Sequence, residues 1–72
     1  MSKILTPGVV QDLRKELRLL KTTGRLENGV LLLRQQVYMN FAAAKGPRWM
    51  KDHENELRKE LDQVVEGVRN EQ

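Results

Sequence analysis

Residues 26–47 read LENGVLLLRQQVYMNFAAAKGP, from Leu26 to Pro47. Apolar residues recur there at helical spacing, with Leu26, Val30, Leu33, Val37, Phe41 and Ala44 on one side. At about 100° per residue, Leu31, Leu32, Tyr38, Met39 and Ala42 fall around the back. No charge occurs from Gln35 to Ala44. A helix that is apolar nearly all round is normally buried on several sides. In a chain of 72 residues, two further helices cover only part of it. Some of this surface is therefore expected to meet another chain. A short strand over residues 29–33 is the competing local reading, because brief apolar runs suit either state.

The stretch is bounded by punctuation on both sides. Downstream, Gly46-Pro47 breaks the helix, since proline cannot continue it and restricts the residue before it. Beyond the break, Met50, Leu57, Leu61, Val64 and Val68 form a narrow stripe with His53 at its edge. The 4-3-4 spacing from Leu57 to Val68 is that of a coiled-coil-like seam. Glu54 with Arg58 and Glu56 with Lys59 are spaced to support this helix as ion pairs. Its last residues, 69–72, are polar and expected to fray. Upstream, Thr6 is a good N-cap and Pro7 suits the first helical position. Val9, Leu13, Leu17 and Leu20 then recur at helical spacing, Lys21 lies in the last turn, and Gly24 supplies a left-handed stop. The expected fold is all-α: a compact bundle of three helices, about 6–23, 27–45 and 48–68, forming a single helical binding domain over residues 1–72.

Size and composition narrow the function. A domain this short buries only about 60% of its unfolded-chain surface. The chain has no cysteine and one histidine, so neither a disulfide nor a zinc site is expected to brace it. Thr6-Pro7-Gly8 interrupts the apolar stretch after Lys3, so no signal-peptide core follows. No stretch approaches the ~20 apolar residues of a membrane span. A cytoplasmic location is expected.

The net charge of +3 conceals a split. Residues 1–51 carry a local balance of +7, and residues 52–72 one of −4. Such asymmetry goes with binding to nucleic acid or a charged protein surface. It is equally what two oppositely charged helices would show if they attract each other within the fold.

Catalytic groups are scarce. His53 with Glu56 and Glu60 could place ligand atoms on one helix side, but a histidine flanking an apolar stripe is far more often a packing residue. The sole serine is Ser2, and Gly24 and Gly29 lack the pattern of a phosphate-cradling loop. No catalytic residue, metal ligand or cofactor is expected. The sequence Leu13-Arg14-Lys15-Glu16-Leu17 recurs as Leu57-Arg58-Lys59-Glu60-Leu61, an echo best read as two amphipathic helices drawing on the same helix formers.

Two features point to binding instead. Arg14, Arg18, Lys21 and Arg25 share one flank of the first helix, a row able to track phosphates or meet an acidic protein face. Arg48, Trp49 and Lys51 follow the Gly46-Pro47 break, and Trp and Arg are enriched in interface hot spots. Trp49 is alternatively a plug over the end of the bundle. With Tyr38, these residues are the candidate partner-binding set.

The chain resembles very small phage-encoded regulators that bind bacterial RNA polymerase. The likeness lies in size, basic body, helical content, absence of a catalytic motif, the opening Met1-Ser2-Lys3-Ile4-Leu5 and the Lys45-Gly46-Pro47-Arg48-Trp49 corner. It implies a non-enzymatic protein that inhibits or redirects transcription, with bacterial RNA polymerase as partner. A helix-turn-helix-like DNA binder is one alternative. It would offer Arg34, Gln35, Gln36 and Asn40 to base edges, but the turn over residues 21–27 is longer than the usual three or four residues. A self-assembling helical subunit, such as a homodimer, is the other.

Overall fold

The computed structural model describes residues 4–71, which form three helices: α1 (Pro7–Thr22), α2 (Leu26–Lys45) and α3 (Pro47–Arg69). Each helix packs against both others, giving a body of 37 × 23 × 19 Å. Residues 29–33 lie within α2, so the strand reading is overturned. Two apolar faces of neighbouring helices are available to cover Val30, and a helix satisfies its own backbone while exposing the rest.

The helix ends follow from local chemistry. The Thr6 hydroxyl accepts from the Val9 N–H at 3.3 Å, and Pro7 opens α1. At the other end Gly24 adopts φ +73°. This lets the Arg25 N–H reach Leu20 O at 2.8 Å and the Gly24 N–H reach Lys21 O at 3.1 Å. The pair is a Schellman closure, which needs a left-handed residue. Only Thr23, Gly24 and Arg25 then separate α1 from α2, so the connection is shorter than expected and its length does not argue against a helix-turn-helix. Gly46, at φ +94°, ends α2 and starts α3 directly at Pro47.

The core is a single cluster. α3 contributes Leu57, Leu61, Val64, Val65 and Val68, with Leu57 and Val68 fully buried. α1 adds Leu13 and Leu17, and α2 adds Leu26, Val30 and Val37. Leu5, ahead of α1, is also buried. Beside it lies a buried carboxylate: Glu60 accepts from the Ile4 N–H at 3.0 and 3.1 Å and from the Leu5 N–H at 2.9 Å. Glu60 thereby fastens the segment before α1 to α3 and satisfies backbone donors that have no helical partner there.

Cross-helix ion pairs join the edges. Arg34 of α2 meets Asp62 of α3 at 2.5 Å, and Glu27 of α2 meets Arg69 of α3 at 3.0 Å. Within α3, Glu54 and Arg58 approach to 3.8 Å, whereas Glu56 and Lys59 form no ion pair. Their side chains reach solvent at no cost, and a weak exposed pair does not hold them together. The polar end expected to fray carries contacts to α1 as far as Glu71.

The Leu20 side chain of α1 packs onto Gly29 of α2. A Cβ there would sit 2.4–2.9 Å from the Leu20 side chain, whereas a Cβ at Gly67 would meet nothing within 4 Å. We expect Gly29→Val to destabilise the fold by about 1–3 kcal/mol through overpacking. Gly67→Ala should stabilise it by about 0.5–1 kcal/mol through helix propensity. Thermal melts followed by circular dichroism check both signs.

Candidate functional site

The structure divides the candidate residues between opposite ends of α3, about 30 Å apart. At its C-terminal end lies the basic row of α1. Arg18 donates to both carboxylate oxygens of Glu71, Nε at 2.9 Å and Nη2 at 2.8 Å. Lys21 Nζ donates to Val68 O at 2.8 Å, to Arg69 O at 3.2 Å and to Glu71 O. Val68 O also accepts from the Glu71 N–H at 3.1 Å, and a lysine at this end of α3 adds a charged donor that complements the helix dipole. Arg18 and Lys21 are thus engaged within the chain, which matches the reading of oppositely charged helices in mutual attraction. Arg14 and Arg25 are exposed and form no ion pair among the described residues. Two of the four basic groups therefore stay exposed at the surface, outside these contacts.

At the N-terminal end of α3 stands the Gly46-Pro47-Arg48-Trp49 corner. The Trp49 indole is half-buried and lies in a ladder of rings. It stacks on Phe41 of α2 at 5.4 Å with planes 7° apart, and on His53 of α3 at 4.5 Å with planes 16° apart. His53 Nδ1 lies 2.9 Å from Trp49 O, which further fixes the imidazole. His53 is thus a packing residue, and Glu60 is turned away to the backbone of residues 4 and 5. No group of three His, Cys, Asp or Glu among the described residues is placed to hold a metal ion. The ladder makes Trp49 a plug over the end of the bundle, and part of the indole stays accessible. Arg48 and Lys51 are exposed on either side of it and form no ion pair among the described residues.

Tyr38 and Lys51 share an open groove between α2 and α3, floored by Met39, Ala42, Pro47 and Met50. The Tyr38 hydroxyl is buried beside Arg58, whose guanidinium it helps hold in the charged form. From this groove an apolar surface continues along α2. Leu31, Leu32 and Met39 are 64, 70 and 71% exposed. They are the residues that the wheel places on the back of the helix, and neither α1 nor α3 covers them. The chemistry on offer is contact chemistry: apolar area, a preorganised aromatic ladder and unpaired cations. No helix among the described residues is long and apolar enough to cross a membrane.

Sequence reasoning did not single out Leu5, Val65 or Glu71, and it considered Glu60 only as a ligand atom beside His53. Only Glu71 left a signal, as an acid placed just past the end of an amphipathic helix. Its carboxyl is held below the ordinary glutamate value, first by the hydrogen bonds from Arg18 and then by the nearby charges of Arg18, Lys21 and Arg14. A depressed folded-state value means that the unfolded chain takes up the proton first. The stabilisation is complete above the unfolded-state value and is lost as pH falls through the folded one. Glu71→Gln should therefore melt below wild type near neutrality, with the two curves converging on acidification through the carboxylate range. A pH series of thermal melts checks this.

No protein-family model matches the chain, and no curated protein or solved structure matches it.

Proposed function

We propose that this chain is a non-enzymatic regulator that works by docking on a large protein assembly, bacterial RNA polymerase, and thereby inhibits or redirects transcription. The observation that carries the docking is the exposure of Leu31, Leu32 and Met39 on a helix side without charge from Gln35 to Ala44. Contiguous apolar patches rimmed by polar residues mark interaction sites on soluble domains. The Arg48-Trp49-Lys51 corner supports the same reading. An indole already stacked between two rings loses little freedom on binding, and two unpaired cations beside it offer charge to an acidic face. The choice of polymerase comes from the resemblance to small phage-encoded regulators. The DNA-binding alternative is weakened because Arg18, Lys21 and Arg34 are already engaged within the chain.

The test is retention of purified bacterial RNA polymerase on the immobilised chain, together with promoter-dependent transcription in its presence. We expect polymerase to be retained and run-off transcript to change. Met39→Glu, or Arg48→Ala combined with Lys51→Ala, should weaken retention about tenfold or more while leaving the helical spectrum intact. Polymerase that passes unbound with transcription unchanged defeats the reading. Salt-sensitive binding to DNA alone would replace it with the DNA-binding alternative.

A further inference from the structure

The backbone N–H groups of Ile4 and Leu5 both donate to one side chain, the Glu60 carboxylate of α3. We propose that residues 4 and 5 are a strap that opens on its own, ahead of the three-helix body, and that its opening uncovers the edge of the Trp49 ring ladder. The inference concerns the chain by itself and does not rest on the docking function.

The strap is built as a latch. Glu60 is 7% exposed and is the one buried charged residue among the described residues. Its two oxygens lie 3.0 and 3.1 Å from the Ile4 nitrogen, and one of them lies 2.9 Å from the Leu5 nitrogen. The Leu5 side chain, 3% exposed, joins the core beside it. One carboxylate and one leucine thus fasten the strap to the body. A charged acceptor makes strong hydrogen bonds, but it has given up its own hydration to do so.

The body does not need the strap to keep its first helix. The Thr6 hydroxyl accepts from the Val9 N–H, and Thr6 O accepts from the Val10 N–H at 2.9 Å. Pro7 fills the first helical position and has no N–H to satisfy. Residues 6 and 7 therefore close the start of α1 by themselves. Opening the strap exposes one leucine, gives two N–H groups to water and returns the Glu60 carboxylate to water. Rehydration of the carboxylate offsets part of the loss. Unfolding the body instead exposes the whole α3 stripe, so the small opening comes first.

The strap borders the ladder. Ile4 forms one wall of an open cleft whose other walls are Phe41, Lys45, Trp49, His53 and Glu56. When residues 4 and 5 lift away, that wall is lost and the stacked rings gain access to solvent from this side. Trp49 is the only tryptophan of the chain, so its fluorescence reports on this edge alone.

The test is amide hydrogen exchange of the full native chain, followed by nuclear magnetic resonance at several urea concentrations below the unfolding transition. We expect the Ile4 and Leu5 amides to be protected, yet to exchange about tenfold or more faster than those of Leu57 and Leu61 after correction for intrinsic rates, and with a weaker dependence on urea. Glu60→Gln removes the charged acceptor and should speed exchange at residues 4 and 5 about tenfold or more. Leu5→Glu sets a second carboxylate against Glu60 and should hold the strap open. That variant should keep its helical spectrum and a cooperative melt, with a raised acrylamide quenching constant for Trp49. Exchange of residues 4 and 5 in one step with Leu57 and Leu61 overturns the inference, as does a lack of protection at residues 4 and 5 or indifference to Glu60→Gln. A Leu5→Glu chain that loses its helices also overturns it, because the strap is then inseparable from the body. Unchanged quenching in a folded Leu5→Glu chain overturns the link to the Trp49 ladder.

Discussion

Leu57 and Val68 lie about three turns apart on α3, fully buried, and both other helices pack against the stripe they define. α3 is the one helix whose apolar residues are nearly all consumed in this way. α1 needs only Leu13 and Leu17 to reach the stripe, and α2 needs Leu26, Val30 and Val37. Each helix of a three-helix body has two neighbours and therefore one side that no neighbour can cover. For α3 that side is polar, and for α1 it is mostly polar apart from Val9 and Leu19. For α2 it holds Leu31, Leu32 and Met39. The uncovered apolar surface is thus a consequence of helix count acting on an unusually apolar helix, and no local rearrangement removes it.

The helix ends were legible because each is set by residues next to it. Thr6-Pro7, Gly24 and Gly46-Pro47 act through one cap, one left-handed residue and one missing N–H, and these operate within a turn of the chain. The seam of α3 was legible for a similar reason, since Leu57, Leu61, Val64 and Val68 repeat at fixed spacing. Val65 escaped because α1 and α2 approach α3 from two directions and widen its buried side beyond a single stripe. The structural role of Glu60 was not legible, although the residue stood out beside His53 and Glu56. A glutamate among good helix formers reads as solvated, and its burial depends on backbone donors 55 and 56 positions away in sequence.

The candidate site was legible as residue types and only partly as a place. Arg14, Arg18, Lys21 and Arg25 look equivalent along α1. Which of them are consumed depends on where α3 ends in space, and that end falls beside Arg18 and Lys21. The Trp49 corner shows the opposite case. Its break was visible in sequence, whereas the stacking of Phe41, Trp49 and His53 needed the turn at Gly46 to bring two helices side by side.

Charge and apolar area are distributed in an order that the fold alone does not require. Arg18–Glu71, Arg34–Asp62 and Glu27–Arg69 tie helix edges together, yet such partly exposed pairs each contribute little to stability. Their effect is to orient the helices and to withdraw charge from the outer surface. The outer side of α2 is left apolar, although a lysine or glutamate at position 31, 32 or 39 would touch no core residue and would leave stability within about 0.5 kcal/mol. Packing explains every apolar residue of the α3 stripe and none of these three. The docking proposed above would give their hydrophobicity a role that packing within the chain does not.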